Sequence, residues 1–365
     1  MRGAALWCAL TCAAVPAMAQ RFWNPEIGLQ GGFAHVKPSG TGASDAINLI
    51  DAPGGSFVTA VLSYAPLYAI IPIGQRFAVE PQAGLAQATV STANAVTFAR
   101  LGARLDYAVT QSLYVAGGGV LNDVQTDAPR HLQVGLQAGL GYRTTLGSRL
   151  SGRLEVGWIT THGNHGSPPA VNAYTGLIGI SSRLDSRGAE RPAHPAPGGA
   201  WAPSIGFNAG YASIHAVGGE TVTLLFFPGS GADPTSLGGI VPTVPTLFLQ
   251  LPLGGKWALE PSVDAEYGKA PFTFSTTKVG IGGRVDYAVR GGWYAGLGGQ
   301  LLYVRVRSST VVPGVVGAWG YRFHILHALG GRFEASYLMS ARQRDLNLPP
   351  VNSLSLLFGT TAELR

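Results

Sequence analysis

In Leu132-Gln133-Val134-Gly135-Leu136-Gln137-Ala138-Gly139-Leu140-Gly141-Tyr142-Arg143 two sets of residues interleave one for one. Successive side chains of a β-strand point to opposite faces, so the two sets are two surfaces. One carries Leu132, Val134, Leu136, Ala138, Leu140 and Tyr142; the other carries Gln133, Gly135, Gln137, Gly139, Gly141 and Arg143. The pattern recurs where Leu154, Val156 and Trp158 oppose Arg153, Glu155 and Gly157, and where Leu105, Tyr107 and Val109 oppose Arg104, Asp106 and Ala108. A soluble sheet would hide the first surface and show water the second, but glycine, glutamine and alanine make a poor solvent surface that barely fixes strand register. Turned the other way, the apolar side chains meet hydrocarbon. Glycines then let a narrow wall close around a few long polar groups, as the interior of an eight-stranded barrel demands.

The composition agrees with that orientation. Only 12% of the 365 residues are charged while 46% are hydrophobic and 52 are glycine; a soluble domain carries about twice that charge. After the first twenty or so residues no stretch has the ~18 consecutive apolar residues of a membrane-spanning helix. Backbone groups in lipid must be paired within the protein, and a closed sheet does this without leaving edges. The net charge of +6 is scattered, with no basic run and no basic-aromatic stripe, so nucleic acid is not an expected partner. Met1-Arg2, an apolar run from Ala4 to Pro16 and Ala17-Met18-Ala19 before Gln20 predict a cleavable secretory signal over residues 1–19. Cys8 and Cys12 fall inside it, so neither a disulfide nor a cysteine-bound metal is expected in the exported protein. Reading Cys12 as a lipid-modified residue fits less well, because Ala9-Leu10-Thr11 is a poor match to the sequence that precedes such a cysteine.

The second half restates the first at a shift of about 180 positions. Phe77-Ala78-Val79-Glu80-Pro81 returns as Trp257-Ala258-Leu259-Glu260-Pro261, and Ala103-Arg104-Leu105-Asp106-Tyr107 as Gly283-Arg284-Val285-Asp286-Tyr287. Gly152-Arg153-Leu154-Glu155 returns as Gly331-Arg332-Phe333-Glu334, Gly141-Tyr142-Arg143 as Gly320-Tyr321-Arg322, and Trp23-Asn24-Pro25 as Trp201-Ala202-Pro203. The Pro, Gly and Ala-rich residues 186–199 read as a periplasmic linker between a first barrel, 20–185, and a second, 200–365. Each half divides into eight strands: 26–36, 62–73, 76–88, 96–109, 113–124, 131–144, 150–161 and 172–184, then 204–215, 245–253, 256–268, 277–289, 293–305, 310–323, 331–342 and 352–364. Tight turns alternate with longer loops, the habit of outer-membrane barrels. Phe77, Tyr107, Trp257, Tyr287 and Trp293 sit at the tight-turn ends, where an aromatic girdle belongs. The expected fold is therefore all-β: two transmembrane antiparallel up-and-down eight-stranded β-barrels in tandem, with one sixteen-stranded barrel as the alternative.

On these residues each half resembles the small eight-stranded outer-membrane barrels, the group of OmpA-type domains, OmpX and OmpW. The resemblance covers nearly the whole chain after residue 19 and rests on pattern, strand count and turn asymmetry, without a diagnostic motif. It implies bacterial outer-membrane localisation after passage through the periplasm, with membrane lipid, lipopolysaccharide and the outer-membrane assembly machinery as partners. Members usually finish on an aromatic residue that this machinery reads; Ala362-Glu363-Leu364-Arg365 departs from that, so an atypical insertion signal is expected.

Strand parity sends Glu80, Arg104, Asp106, Arg143, Arg153 and Glu155 inward in the first half, and Glu260, Arg284, Asp286, Arg322, Arg332 and Glu334 in the second. A lone charge in a narrow barrel is costly, so these residues are expected to pair into a lumen network that plugs each barrel. His162, His165 and Ser167 resemble the histidine-serine pair of lipid A deacylases, but Pro168 to Leu184 holds no carboxylate to orient the base, and the matching loop of the second half reads Arg342-Gln343-Arg344-Asp345. His162 with His165, and His324 with His327, lack a third ligand. No catalytic residue, metal or cofactor is expected. The apolar Leu224, Leu225, Phe226 and Phe227, within the outer loop 216–244, form either a strand extension or a patch for lipopolysaccharide, a partner or a host surface.

Three function classes follow. The leading one is a non-enzymatic structural or surface-interaction protein. A channel for small solutes would need the halves to merge into sixteen strands, which the long linker and the small interiors oppose. A lipid A-modifying enzyme would need the histidine-serine pair.

Overall fold

Alternation becomes strand throughout. The computed structural model describes residues 22–38, 44–48, 65, 67–90, 96–125, 131–146, 150–162, 170–184, 201–216, 221–226, 247–269, 275–305, 308–326, 329–342 and 350–364; the expected signal peptide and the linker lie outside them. The first half contributes β1 (Glu26–Pro38), β2 (Ser44–Asn48), β3 (Leu67–Pro72), β4 (Phe77–Val90), β5 (Val96–Ala108), β6 (Leu113–Gln125), β7 (His131–Thr145), β8 (Leu150–His162) and β9 (Val171–Arg183). The second contributes β10 (Ser204–Ala216), β11 (Thr221–Phe226), β12 (Leu247–Gly254), β13 (Trp257–Lys269), β14 (Ser275–Arg290), β15 (Trp293–Arg305), β16 (Ser309–Leu326), β17 (Leu329–Ser340) and β18 (Val351–Glu363).

At the tight-turn end the chain closes two antiparallel rings. In the first, β3 lies between β1 and β4, successive hairpins run to β9, and β9 pairs back onto β1 from Glu26↔Arg183 to Pro38↔Val171. In the second, β12 lies between β10 and β13, and β18 closes onto β10 from Ser204↔Glu363 to Ala216↔Val351. Two eight-stranded barrels thus stand side by side. The turns are built from local chemistry. Gly291-Gly292 joins β14 to β15 with φ of 58° and 94°, left-handed values that a two-residue hairpin requires and glycine adopts without strain. At the equivalent turn of the first half, the Thr110 hydroxyl instead accepts the backbone N–H groups of Ser112 and Leu113 at 3.2 and 2.9 Å.

The long-loop end differs from the sequence expectation. Residues 37–61 and 216–244, read as loops, contain β2 and β11, and within the expected strand 62–73 the described residues form β3 over Leu67–Pro72. Each added strand pairs with the first strand of its own half and then crosses to the other half. β2 lies between β1 and β13, with Ile47↔Phe33 on one side and Ile47↔Tyr267 on the other. β11 lies between β10 and β4, with Leu225↔Tyr211 and Leu225↔Gln87. At this level hydrogen bonding runs β1-β2-β13-β14-β15-β16-β17-β18-β10-β11-β4-β5-β6-β7-β8-β9 and back to β1. That is a single ring above the two lower ones. The sequence posed two barrels and one large barrel as alternatives; the fold has two rings below and a joined rim above.

The facing follows the alternation. Leu105, Leu136 and Leu154 are 44, 59 and 55% exposed on the outer wall, while Asp106 and Arg153 are 0 and 4% exposed inside. A belt this apolar is stable only against hydrocarbon, which makes these transmembrane barrels. At the tight-turn end outward aromatic side chains pair across neighbouring strands, Phe77 with Tyr107, Trp257 with Tyr287 and Trp293 with Tyr321, at centroid distances of 5.0, 4.7 and 5.1 Å. Cross-strand aromatic pairs of this kind stabilise a sheet and fit the polar boundary of a bilayer.

Candidate functional site: the charge networks inside the barrels

The inward residues singled out in the sequence converge at the tight-turn end of each lumen. In the first barrel β4 and β5 set Glu80 directly opposite Arg104, with Asp106 one inward position along β5. The Arg104 Nε lies 3.2 Å from Glu80 and 3.1 Å from Asp106, while its two Nη atoms donate to Glu155 on β8 at 2.6 Å each. Arg153 donates to the other Glu80 oxygen at 2.6 Å. Two guanidinium groups thus bridge three carboxylates across three strands, all of them 5% exposed or less. The second barrel repeats the arrangement. Arg284 meets Glu260 at 3.0 Å, Asp286 at 2.9 Å and Glu334 at 2.5 Å, and Arg332 meets Glu260 at 2.5 Å. Paired geometry offsets the desolvation that each buried charge would otherwise suffer.

Arg143 and Arg322 lie apart from this cluster, one level nearer the tight turns, where they sit over buried indoles. The Arg143 guanidinium is 4.2 Å from the Trp23 ring centroid and that of Arg322 is 3.6 Å from the Trp201 ring. Trp23 Nε1 donates to the Arg76 carbonyl and Trp201 Nε1 to the Lys256 carbonyl, both at 2.8 Å. Each indole meets a tyrosine edge-on, Tyr114 at 5.5 Å and Tyr294 at 5.7 Å. The repeated Trp-x-Pro stretch is therefore a floor beneath each network.

Several participants escaped the sequence reading. Tyr114 and Tyr294 donate to Glu155 and Glu334, each at 2.6 Å. Gln82 donates to Glu80 at 2.7 Å, Arg153 also donates to Gln30, and Arg332 donates to Asn208 at 2.9 and 3.1 Å. Arg153 stacks on Tyr68 and Arg332 on Phe248, at 3.5 and 3.6 Å. These residues lie on the inward faces of their strands, but nothing in the sequence singles them out from the other residues of those faces. Glu26 belongs to the first barrel alone. It lies 3.9 Å from Arg143 and 3.8 Å from Arg183 and accepts from the Ser181 hydroxyl at 2.5 Å, whereas the corresponding position in the second barrel is Ser204, opposite Glu363.

Above the networks the two interiors diverge. The first is polar: Arg100, Asn122 and Gln133 are buried, and Arg100 donates to Gln137 at 3.5 Å. The second buries the apolar cluster Leu302, Val304 and Val312 at the same height, beside the buried Asp264, Lys278 and Gln300. A cavity of about 10 Å3 between Gln82, Gln137 and Glu155 has room for one water at most.

The other sequence candidates fall largely outside the described residues. His162 ends β8 exposed and His324 is exposed on β16, while His165, Ser167 and His327 lie outside the described residues. Among the described residues no group of three or more His, Cys, Asp or Glu side chains is placed to hold a metal ion. The backbone of Leu224 to Phe226 belongs to β11 rather than to a loop; the side chains of these residues, and Phe227 entirely, lie outside what is described.

No family model and no curated protein matches the chain. Among solved structures it resembles the attachment invasion locus protein Ail of Yersinia pestis, at 11% identity and a TM-score of 0.27 over 44% of this chain and 99% of that one. It also resembles a Pseudomonas aeruginosa FadL homologue, at 12% identity and a TM-score of 0.30 over 94% of this chain and 91% of that one. A third is the CymD monoaromatic hydrocarbon channel, at 12% identity and a TM-score of 0.30 over 94% and 89%. Overlaps this slight carry no argument about role.

Proposed function

We propose that the chain is an integral protein of the bacterial outer membrane with a structural or surface-interaction role and no catalytic one, its two lumens plugged by the charge pairs. Its partners in this reading are membrane lipid, lipopolysaccharide and the assembly machinery that inserts it. The observation that supports it most is the burial of Glu80, Arg104, Glu155 and their counterparts among partners that fill the bore, above a tryptophan floor. Planar-bilayer recording tests it: the purified protein leaves the membrane without steady conductance, and large stable steps would overturn the plug. Lipid A from cells with and without the protein should have the same masses, and a lost or gained acyl chain would assign an enzymatic role.

The joined rim favours one other reading, a channel with a shared outer mouth. It predicts that removing a plug, as in Arg104→Ala with Glu155→Ala, opens a conductance through the first barrel while the second stays closed.

A further inference from the structure

On most of the outer wall the outward side chains are open, as with Leu101 at 61% and Leu297 at 68% exposure. On one side of each barrel they are not. Ile27 and Leu29 on β1, Ile180 on β9, and Ile205 and Phe207 on β10 are half-buried, and the outward Ser182 is only 4% exposed. The β1·β9 wall of the first barrel and the β10·β18 wall of the second shield each other there. They do not close completely, because an apolar cavity of about 200 Å3 remains between them, lined by Ile27, Leu29, Ile180, Ile205, Phe207 and Phe358 among others. Its height is set by the strands: Ile27 and Ile205 are the second residues of β1 and β10, so the cavity lies in the leaflet on the tight-turn side. Farther along, β1 is bonded through β2 to β13 and β10 through β11 to β4, which ties the two walls together above it.

We infer that this cleft holds one phospholipid acyl chain as an integral part of the structure. The inference rests on the membrane reading proposed above. Although Ser182, Thr360 and Thr361 also border the cleft, its exposed lining is almost entirely carbon, so water finds too few polar partners to settle there. Left empty, the cleft forfeits the dispersion contacts of its walls. The cleft walls continue the hydrocarbon-facing belt, so the molecule at hand to fill it is the bilayer itself. The tight-turn side is the periplasmic leaflet under that reading, which makes the occupant a phospholipid rather than lipopolysaccharide. A chain seated between two tethered walls exchanges far more slowly than lipid around the perimeter.

The full chain, extracted from membranes and exhaustively exchanged into a second detergent, should retain about one phospholipid per protein by mass spectrometry. The double variant Ile27→Trp with Ile205→Trp, which fills the cleft from both walls, should lower retention at least fivefold while floating with vesicles as before. Retention of none by the unmodified protein, or equal retention by the variant, overturns the inference. Retained lipopolysaccharide in place of phospholipid overturns it as well. A second measurement needs no variant. With a phospholipid carrying a photoreactive acyl chain, adducts should concentrate on residues 27–29 and 205–207 relative to Leu136 and Leu297, and an even spread refutes the site. A protein that fails to float with vesicles at all instead refutes the membrane reading.

Discussion

Arg104 and Glu155 meet head-on across the first lumen, each Nη atom 2.6 Å from a different carboxylate oxygen, although 51 residues separate them in the chain. Arg284 and Glu334 hold the same two-pronged contact at 2.6 and 2.5 Å. Deleting Arg104 leaves the buried carboxylates of Asp106 and Glu155 without the guanidinium that pairs with them, whereas deleting Glu155 leaves Arg104 still held by Glu80 and Asp106. Arg104→Met should therefore cost about 3–5 kcal/mol of stability, and Glu155→Ala distinctly less. Urea unfolding in vesicles measures both, and a double variant that loses the sum of the two single losses shows that the contact contributes nothing.

Two glycines should prove less replaceable than their neighbours. A Cβ on Gly141 would lie 2.2 Å from the Tyr114 ring and one on Gly320 2.4 Å from the Tyr294 ring, so either alanine dislodges a tyrosine that donates to the network. Gly317, with nothing within 4 Å of the same position, is the control. Gly141→Ala and Gly320→Ala are expected to lose about 1–3 kcal/mol, and Gly317→Ala no more than ~0.5 kcal/mol. Equal losses at all three positions would mean that the ring contact is not what selects glycine.

The outer belt predicts a gradient along β7. Leu136, 59% exposed near the middle of the strand, faces hydrocarbon, and Leu136→Arg should cost ~2–4 kcal/mol in a bilayer. Tyr142, 47% exposed on the same face but close to the tight turn, should accept arginine for ~0–1 kcal/mol. Folding titrations into vesicles compare the two, and indifference at Leu136 would argue that this face does not meet lipid.

The crossing of the rim strands can be trapped covalently. Ile47 is register-matched to Tyr267 and Gln87 to Leu225, and directly opposed residues of an antiparallel pair stand about 4.5–5.5 Å apart at Cα, within disulfide reach. Ile47→Cys with Tyr267→Cys, and Gln87→Cys with Leu225→Cys, should each oxidise to an intramolecular bond that shifts mobility on a non-reducing gel. The mismatched pair Ile47→Cys with Leu225→Cys should not. If neither matched pair forms, the rim strands bond within their own halves.

How much of this was open to sequence reasoning depends on what alternation encodes. Period-two patterning states which face a residue occupies, so Leu136 outside and Arg153 inside are legible in the sequence alone. It does not state which strand lies alongside. Ser44–Asn48 and Thr221–Phe226 are short runs inside Gly, Pro and Ser-rich stretches, and their neighbours are chosen by how the two halves meet, a relationship no local window contains. The network shows the same division. Glu80 opposite Arg104 follows from one hairpin, but Arg104 on Glu155 and Arg153 on Gln30 depend on strand tilt around a closed wall, which only the ring itself supplies. Trp23 and Trp201 were visible as a repeated stretch, and their place as a floor was not.

The exchange of β2 and β11 also bears on what each half lacks alone. Neither half can finish its loop-side edge from its own residues, since β2 finds its second neighbour in β13 and β11 finds its second neighbour in β4. The rings at the opposite end have no such dependence. Each lower ring is closed by strands of its own half, whereas the rim is complete only where both copies are present. A chain truncated after its first half is left with an unfinished seam, its β2 and β4 lacking the neighbours that the second half supplies.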